Sequence, residues 1–161
     1  MIVIVMGVTG AGKTTVGSLL AEQFGWEFHD ADDFHPPSNV EKMRRGIPLT
    51  DENRKPWLEE VRKKILQWRA EGKKVVLACS ALKREYRRML EVGPDVRFVY
   101  LKGNLDLIEG RLRLRRGHFA NEQILAGQFA DLEEPENAVT VDVDAAPTQI
   151  VVEIQEKLGL A

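Results

Sequence analysis

The stretch GVTGAGKT, residues 7–14, decides the fold of this 161-residue chain. It matches the pattern G-x-x-x-x-G-K-[ST], whose glycines let backbone N–H groups turn toward phosphate oxygens. The preceding run IVIVM, residues 2–6, is apolar and β-branched, as in a strand buried on both faces. A helix is predicted to follow over residues 13–24 and to end at Gly25. The sequence therefore predicts a phosphate-binding loop between a strand and a helix, with an ordinary glycine-rich turn as the alternative.

Strand-like and helix-like segments alternate along the rest of the chain. Four further strands are predicted at residues 26–29, 74–79, 96–101 and 138–143. Further helices are predicted at residues 38–46, 83–90, 105–116, 122–129 and 148–158, and one more has Pro56 in its first turn and ends at Gly72. Ser38 and Glu41 form a predicted capping box for the first of these, and Ser80 and Asn104 are the predicted caps of the helices at 83–90 and 105–116. This alternation predicts an α/β fold with a parallel sheet covered by helices on both faces.

The chain is expected to form a single domain over residues 1–161. Two polar segments, residues 30–57 and 111–135, interrupt the alternation, and we expect ligand-handling insertions there. The formal net charge of −2 argues against nucleic acid as a partner. No secretory signal and no apolar run of the ~20 residues that span a bilayer are visible, which predicts a cytoplasmic protein without a membrane partner. The single cysteine, Cys79, follows an apolar run and is expected to be a buried, inert thiol.

The loop predicts nucleotide chemistry but not its type. Lys13 is placed to reach the outer phosphates, and the Thr14 hydroxyl is placed to ligate Mg²⁺. The Asn-Lys-x-Asp and Asp-x-x-Gly patterns typical of GTPases do not occur in the sequence. A small-molecule kinase would need an acceptor pocket beside the loop and a lid that excludes water.

The acidic stretch DADDF at residues 30–34 follows the predicted second strand. Ligands of doubly wound sheets bind at the carboxyl ends of the strands, so these carboxylates are expected beside the phosphate loop. Asp30 and Asp32 share one face of an extended segment, whereas Asp33 points the other way. A carboxylate there can accept a proton from an attacking hydroxyl or hold Mg²⁺ through water. The alternative is a solvated acidic turn.

Several cations lie in later segments that could meet above the sheet. Lys83 and Arg87 are four residues apart on a predicted helix, and Arg54 lies between a turn and Pro56. With Lys42 they suggest an anionic acceptor, although each could instead be a solvated surface charge.

The stretch RLRLRRGHF, residues 111–119, is predicted to belong to a lid. Arg111 and Arg115 share a helix face and could stabilise charge on a transferring phosphoryl group. Gly117 and Gly127 flank a segment that could hinge. A basic solvated helix is the alternative, and His118 is as consistent with a structural contact as with a ligand.

Four blocks together resemble the gluconate kinase (gluconokinase) family of P-loop small-molecule kinases, and the resemblance runs almost end to end. The blocks are GVTGAGKT (7–14), DADDFHPPSNVEKMRRGIPLTDENRKPWL (30–58), CSALKREYR (79–87) and RLRLRRGHF with QFADLEEP (111–119 and 128–135). The first block is common to the superfamily, whereas the others are close to diagnostic in combination. The resemblance implies a five-stranded parallel sheet, a small helical lid over about residues 111–135, and a homodimer. It also implies transfer of the γ-phosphate of Mg²⁺-bound ATP to the 6-hydroxyl of D-gluconate, giving ADP and 6-phospho-D-gluconate for carbohydrate acid catabolism and the pentose phosphate pathway.

The resemblance also implies roles for individual residues. ATP would be bound by Gly7, Val8, Thr9, Gly10, Ala11, Gly12, Lys13, Thr14, Thr15, Arg111 and Arg115. Gluconate would be bound by Asp32, His35, Lys42, Arg54, Lys83, Arg87, His118 and Gln128. Lys13, Asp32 and Arg115 would be catalytic, and Thr14 and Asp30 would serve the metal. By similarity with shikimate kinase, which shares an Asp-x-Asp after its second strand, Asp32 is assigned as the base and Asp30 as the outer-shell Mg²⁺ residue.

Two alternatives stay open at this point. One is a kinase of shikimate or of another small hydroxy acid, against which the block at residues 30–58 argues. The other is a P-loop module that binds nucleotide without an acceptor.

Overall fold

The computed structural model describes the backbone of residues 1–114 and 118–160, and the side chains of all of these except residues 118–123. The strands are β1 (Ile2–Met6), β2 (Glu27–Asp30), β3 (Val75–Ala78), β4 (Val96–Lys102) and β5 (Val139–Asp142). The helices are α1 (Lys13–Phe24), α2 (Pro37–Arg44), α3 (Asp51–Ala70), α4 (Arg84–Leu90), α5 (Leu105–Arg113), α6 (His118–Asp131) and α7 (Pro147–Leu158). A 3₁₀ turn, Ala31–Phe34, follows β2 directly.

The strands form a five-stranded sheet in the order β2-β3-β1-β4-β5, and all pairings are parallel. The central strand β1 lies between β3 and β4, with Val3 opposite both Val76 and Arg97. The predicted α/β fold with a parallel sheet is therefore confirmed. Its carboxyl edge carries the phosphate loop after β1, the acidic turn after β2 and the segment that leads from β3 to α4.

Alternate residues of β1 face opposite layers of helices. Val3 and Val5 pack into a core that contains residues of α1, α5 and α7. Ile2 and Ile4 pack into a second core, which contains Trp57 and other residues of α3 and α4. Helices therefore cover both faces, which explains why β1 is apolar at every position instead of alternating with polar residues.

Several predicted helix ends are confirmed. Gly12 precedes α1 with a positive φ of 98°, and Gly25 ends it with a φ of 69°, both in the left-handed region that glycine tolerates. The Asn104 side chain caps α5 by accepting a hydrogen bond from Leu107 N at 2.8 Å. Cys79 directly follows β3 and is buried, as expected.

The start of α3 corrects one prediction. The helix begins at Asp51, because the Thr50 hydroxyl accepts from Asn53 N and the Asn53 side chain accepts from Thr50 N. This reciprocal cap places Pro56 inside the helix rather than in its first turn. Pro56 has no N–H to donate to the carbonyl of Glu52, and both residues are exposed.

Other boundaries also differ from the prediction. Pro37 begins α2 because its fixed φ suits the first helical position, and the predicted Ser38–Glu41 capping box is wrong. Lys83, not Ser80, precedes α4. The strand β2 is shifted by one residue from the predicted 26–29, α5 ends at Arg113 rather than at residue 116, and α6 is longer than the predicted 122–129.

Among the described residues, no helix is both long enough and apolar enough to cross a membrane.

Candidate active site

A cavity of about 220 Å³ opens at the carboxyl edge of the sheet, and we call it the acceptor cavity. Its polar lining consists of Thr9, Lys13, Asp32, His35, Ser80, Arg54, Gln128 and Asp131. Its apolar wall includes Met43, Ile47, Pro48, Leu49 and Trp57. A second, adjacent groove runs along the phosphate loop and α1, and Lys13 and Asp32 line both spaces. These two residues therefore stand at the boundary between a phosphate site and an acceptor site.

The phosphate loop has the conformation that its glycines permit. Gly10 has a φ of 81°, and a Cβ atom there would lie 3.0 Å from the Leu112 side chain. Among the side chains that the structure describes, none caps the start of α1, so its first N–H groups are available at the groove with the positive end of the helix dipole. These features fit a bound polyphosphate.

Lys13 is held by the loop itself. Its Nζ donates to the carbonyl oxygens of Gly7 and Val8, each at 3.0 Å. Burial lowers the pKa of Lys13, while the neighbouring carboxylates of Asp32 and Asp30 act in the opposite direction. The ammonium group is thus positioned before any nucleotide binds.

Thr14 and Asp30 meet as a metal site would require. The Thr14 hydroxyl donates to Asp30 Oδ2 at 3.1 Å, and Asp30 Oδ1 accepts from Asp32 N at 2.9 Å. A hydroxyl and a carboxylate are hard oxygen donors of the kind that Mg²⁺ prefers. Thr14 and Asp30 are therefore the residues that would hold Mg²⁺.

Asp32 lies in the 3₁₀ turn that follows β2 and faces the boundary between the two spaces. The Asp32 side chain is 65% exposed, but partial desolvation of its carboxyl raises the pKa, the nearby Asp30 charge raises it further, and Lys13 opposes both. A carboxylate with a raised pKa is a stronger base, which suits acceptance of a hydroxyl proton.

His35 is held rigidly in the wall of the acceptor cavity. Its ring stacks on Trp57 with 4.4 Å between centroids and 14° between planes, and its side chain is only 3% exposed. The indole N–H of Trp57 donates in turn to the carbonyl of Ala31 at 2.7 Å. Burial, together with the charge of Arg54, lowers the pKa of His35 to about 4, so the ring is neutral at physiological pH.

Arg54 is the buried cation of the acceptor cavity. Its Nη1 donates to Tyr86 Oη at 3.1 Å and to Asp131 Oδ2 at 3.0 Å. Burial lowers the pKa of Arg54, but the hydrogen bonds to Tyr86 and Asp131 outweigh that effect and leave it raised. Tyr86 Oη also donates to Asp51, which fixes the Tyr86 side chain.

The other predicted cations are not brought into this cavity. Lys83 pairs at 2.8 Å with Asp51, the carboxylate that also accepts from Tyr86, and it is not among the residues that line the cavity. Lys42 lies on α2, and although the next residue, Met43, lines the cavity, Lys42 is not among the residues that do.

Arg87 requires a correction. Its guanidinium donates to the carbonyls of Ala81, Leu82 and Glu133 at 2.8, 3.0 and 2.7 Å. Ala81 has a φ of 44°, a left-handed conformation that is unfavourable for a residue with a Cβ. Arg87 therefore supports the strained turn at Ala81 with three of its five N–H donors, and it is not among the residues that line the cavity.

The predicted lid residues divide into three groups. Arg111 donates to the Val143 carbonyl beyond β5 and is not among the residues that line the acceptor cavity. Arg115 and the side chain of His118 lie outside the described residues. Gln128 reaches the phosphate loop, where its Oε1 accepts from Thr9 N at 2.7 Å. Movement of the segment as a lid stays a prediction.

Four polar residues of the site were missed in the sequence, namely Asp131, Asn39, Tyr86 and Ser80, which was predicted only as a helix cap. Asp131 lies three residues after Gln128 on α6, so the helical spacing of the two could have revealed it. Asn39 lies four residues after His35 and bonds to it, which the same kind of spacing suggests. Tyr86 gave no signal, because its hydroxyl has a role only through contacts with distant residues.

Comparison with known proteins gives a consistent result. A family model described as shikimate kinase matches residues 9–158. A probable gluconokinase of Xenopus tropicalis is 44% identical, with 96% of this chain and 92% of that protein covered. The thermoresistant gluconokinase of Escherichia coli K12 is 43% identical, with 89% of this chain and 85% of that protein covered. A solved gluconokinase structure from Sinorhizobium meliloti 1021 superposes with a TM-score of 0.88 at 40% identity, covering 98% of this chain and 90% of that one.

Proposed function

The chain belongs to the gluconokinase family, within the shikimate-kinase-like P-loop kinases, and from this membership we propose that its acceptor cavity binds D-gluconate for phosphorylation. The protein is an ATP-dependent kinase with an alcohol acceptor, a gluconokinase. The γ-phosphate of ATP goes to the 6-hydroxyl of gluconate, and ADP and 6-phospho-D-gluconate result. The observation that carries the choice of acceptor is the buried cation Arg54 in a cavity that also contains the basic carboxylate of Asp32.

Arg54 is proposed to bind the carboxylate of gluconate. Both of its hydrogen bonds within the described part of the chain use Nη1, which leaves Nε and Nη2 for a ligand. A planar guanidinium matches a carboxylate in a two-point contact, which fixes orientation as well as charge. The chain of hydroxyl groups would then run along the apolar wall toward the phosphate loop.

Asp32 is proposed to receive the proton of the 6-hydroxyl. It lines both the acceptor cavity and the groove along the phosphate loop, so a hydroxyl beside it would face the γ-phosphate. The raised pKa, caused by partial desolvation and by the Asp30 charge, favours this role.

The phosphate loop and Lys13 are proposed to hold the triphosphate. The backbone from Gly7 to Thr15 and the start of α1 supply N–H donors, while Lys13 offsets the negative charge of the outer phosphates. Thr14 and Asp30 would hold Mg²⁺, which neutralises phosphate charge when bound. Arg111 and Arg115 are proposed to approach the nucleotide when the lid closes, with Arg115 stabilising the transferring group.

Four further predicted contacts with gluconate involve Gln128, Lys42, Lys83 and His118. Gln128 lines the acceptor cavity and is proposed to contact gluconate. Lys42, Lys83 and His118 could contribute only after side-chain or lid movement. A homodimer in the cytoplasm is likewise proposed from the family resemblance, and light scattering after size-exclusion chromatography would test the dimer.

The decisive experiment measures ADP release with different acceptors side by side. Gluconate, shikimate, glucose and a nucleoside monophosphate are compared at equal concentration with Mg²⁺ and ATP. We expect turnover with gluconate to exceed that with the other acceptors by at least about tenfold in kcat/KM, since only gluconate combines a carboxylate with a distant terminal hydroxyl. Equal or higher turnover with shikimate would reject the proposal.

A variant of Asp32 separates a kinase from a module that only binds nucleotide. Asp32→Asn removes the proton acceptor while keeping the shape of the side chain. We expect kcat to fall by about 10²-fold or more with ATP affinity nearly unchanged. An unaltered kcat would remove the role given to Asp32.

A further inference from the structure

Asn39 is a buried polar residue whose side chain joins two parts of the site. It is 2% exposed, at the start of α2. Its Nδ2 donates to the carbonyl oxygen of Asn53 at 2.7 Å and lies 3.2 Å from Nδ1 of His35. Neither contact involves a phosphate group, a metal ligand or the proposed proton acceptor, so the role of Asn39 in the reaction is not evident from the site alone.

The contact with Asn53 fixes the orientation of the Asn39 amide. A backbone carbonyl only accepts hydrogen bonds, so the Asn39 atom 2.7 Å away must be the amide nitrogen. That nitrogen carries two hydrogens, and the second is directed at His35 Nδ1. In a neutral imidazole the nitrogen that accepts a hydrogen bond is the one without a proton. His35 Nδ1 is therefore the acceptor, and the proton is on Nε2.

The protonated nitrogen faces the acceptor cavity. His35 Nε2 lies 3.7 Å from Asp32 Oδ1, which is too far for a direct hydrogen bond. A hydroxyl oxygen about 2.8 Å from each group would bridge them. The stack on Trp57 fixes the ring plane, and the contact between Nδ1 and Asn39 fixes which edge of the ring carries Nε2 toward this gap.

We infer that Asn39 is a positioning residue that holds His35 as the neutral Nε2–H tautomer, so that the acceptor hydroxyl accepts a hydrogen bond from His35 and donates its proton to Asp32. This inference rests on the proposed function, because it assigns the hydroxyl to gluconate. The hydrogen bonds then run in one direction, from Asn39 through His35 and the hydroxyl to Asp32. The hydroxyl cannot donate to His35 in this arrangement, and its proton is aimed at the carboxylate that removes it.

The charged groups around His35 are consistent with a neutral ring. Arg54 of α3 opposes protonation of the imidazole, whereas Asp30 of β2 and Asp32 of the 3₁₀ turn favour it. Burial is the largest influence on the pKa of His35 and acts in the same direction as Arg54. A charged imidazolium would pair with Asp32 and weaken that carboxylate as a base.

The first test reads the tautomer without any substrate. The protein is labelled with ¹⁵N in its three histidines, and two-bond ¹⁵N–¹H spectra are recorded at pH 7. The signal that disappears in His35→Gln assigns His35. We expect Nε2 to be protonated and Nδ1 unprotonated. A protonated Nδ1, or a doubly protonated ring, in the wild-type protein overturns the inference.

The second test is the isosteric substitution Asn39→Asp. A carboxylate only accepts hydrogen bonds, so we expect the variant to place a proton on His35 Nδ1, which the same spectra detect. We expect kcat with gluconate to fall by about tenfold or more, with KM for ATP unchanged. The decline should deepen as pH falls from 8 to 6, because the introduced carboxylate favours the imidazolium. Asn137→Asp, the same change at an exposed position outside the acceptor cavity, is the control and should leave kcat unchanged.

The outcomes are distinguishable from failure of the proposed function. If wild-type protein does not phosphorylate gluconate, the proposed function fails and the catalytic part of the inference with it, while the spectra still decide the tautomer. If gluconate is phosphorylated and Asn39→Asp inverts the tautomer without lowering kcat, the positioning role is overturned. If circular dichroism shows that Asn39→Asp is unfolded, two other measurements decide whether the inference holds. The wild-type spectrum gives the tautomer of His35, and the kcat of His35→Gln is compared with the kcat of His35→Asn. Gln places its amide donor near the Nε2 position and Asn does not, so equal kcat values for the two variants would overturn the role.

Discussion

Replacing Arg54 by methionine should remove most of the affinity for gluconate while leaving the nucleotide site intact. Methionine keeps much of the length and the apolar stem of arginine but has no donors. The change deletes two hydrogen bonds in the free protein, to Tyr86 and Asp131. It also deletes the proposed two-point contact with the gluconate carboxylate.

The magnitude follows from the two classes of lost contact. Hydrogen bonds to charged groups contribute about 1.5–3 kcal/mol each, so two of them to the substrate carboxylate correspond to roughly 3–4 kcal/mol after partial compensation by water. At about 1.4 kcal/mol per factor of ten, kcat/KM for gluconate should fall by about 10²- to 10³-fold. The effect on folding should be smaller, about 1–2 kcal/mol, because Asp131 is 32% exposed and can be hydrated when its partner is lost.

The assay compares Arg54→Met with Arg62→Met under identical conditions. Arg62 lies on the same helix, is exposed, and bonds to the Met89 carbonyl outside the acceptor cavity. Steady-state kinetics with gluconate and with ATP, together with urea unfolding, separate binding from stability. The proposed contact is refuted if Arg54→Met keeps kcat/KM for gluconate within about twofold of the control, or if KM for ATP rises as much as KM for gluconate.

Three further predictions concern the metal, the thiol and acid stability. Thr14→Val should lower kcat by about 10- to 100-fold and raise the Mg²⁺ concentration for half-maximal rate, since the hydroxyl beside Asp30 is lost; titration of the rate with Mg²⁺ checks this, and an unchanged midpoint contradicts it. Burial raises the pKa of Cys79 to about 12, so at pH 8 a disulfide reagent should modify the folded protein at no more than about a hundredth of the rate in urea. The pKa of His35 falls to about 4 on folding, from 6.5 in the unfolded chain, so between those values the unfolded state binds more protons and the free energy of unfolding should drop as pH is lowered, by up to roughly 3 kcal/mol. Urea unfolding at pH 7, 5.5 and 4 should show that the free energy of unfolding depends less on pH in His35→Gln than in wild type. The same change of that free energy with pH in both proteins would contradict this prediction.

Local features of the sequence were sufficient for the sheet and the phosphate loop. The β-branched run before the loop, the glycines at both ends of α1 and the Asn104 cap act over a few residues, so their effects are readable from a short window. The predicted start of α3 was wrong because proline is common in the first turn of a helix, so Pro56 was taken as the start signal. The helix in fact begins at the Thr50–Asn53 cap.

Contacts within the acceptor cavity depend on residues far apart in sequence. Arg54 and Asp131 are 77 residues apart, and no periodicity or spacing in the chain predicts that they meet. Arg87 shows the converse error. Its spacing from Lys83 predicted that both residues bind the acceptor. In the structure Arg87 instead donates to backbone carbonyls of the turn at Ala81, and this structural role depends on how that turn folds. The sequence gives the charge of a side chain but does not show which residue it contacts in the fold.

Helix α6 touches both halves of the site. Gln128 holds the phosphate loop and Asp131 holds Arg54, and the two residues are one helical turn apart. If either substrate displaces its own contact and shifts α6, the other contact shifts with it, and the two binding free energies become coupled. Such coupling is reciprocal, so ATP would change the affinity for gluconate by the same factor by which gluconate changes the affinity for ATP. A redesign of α6 that changes the affinity for the sugar acid would therefore also change the affinity for ATP.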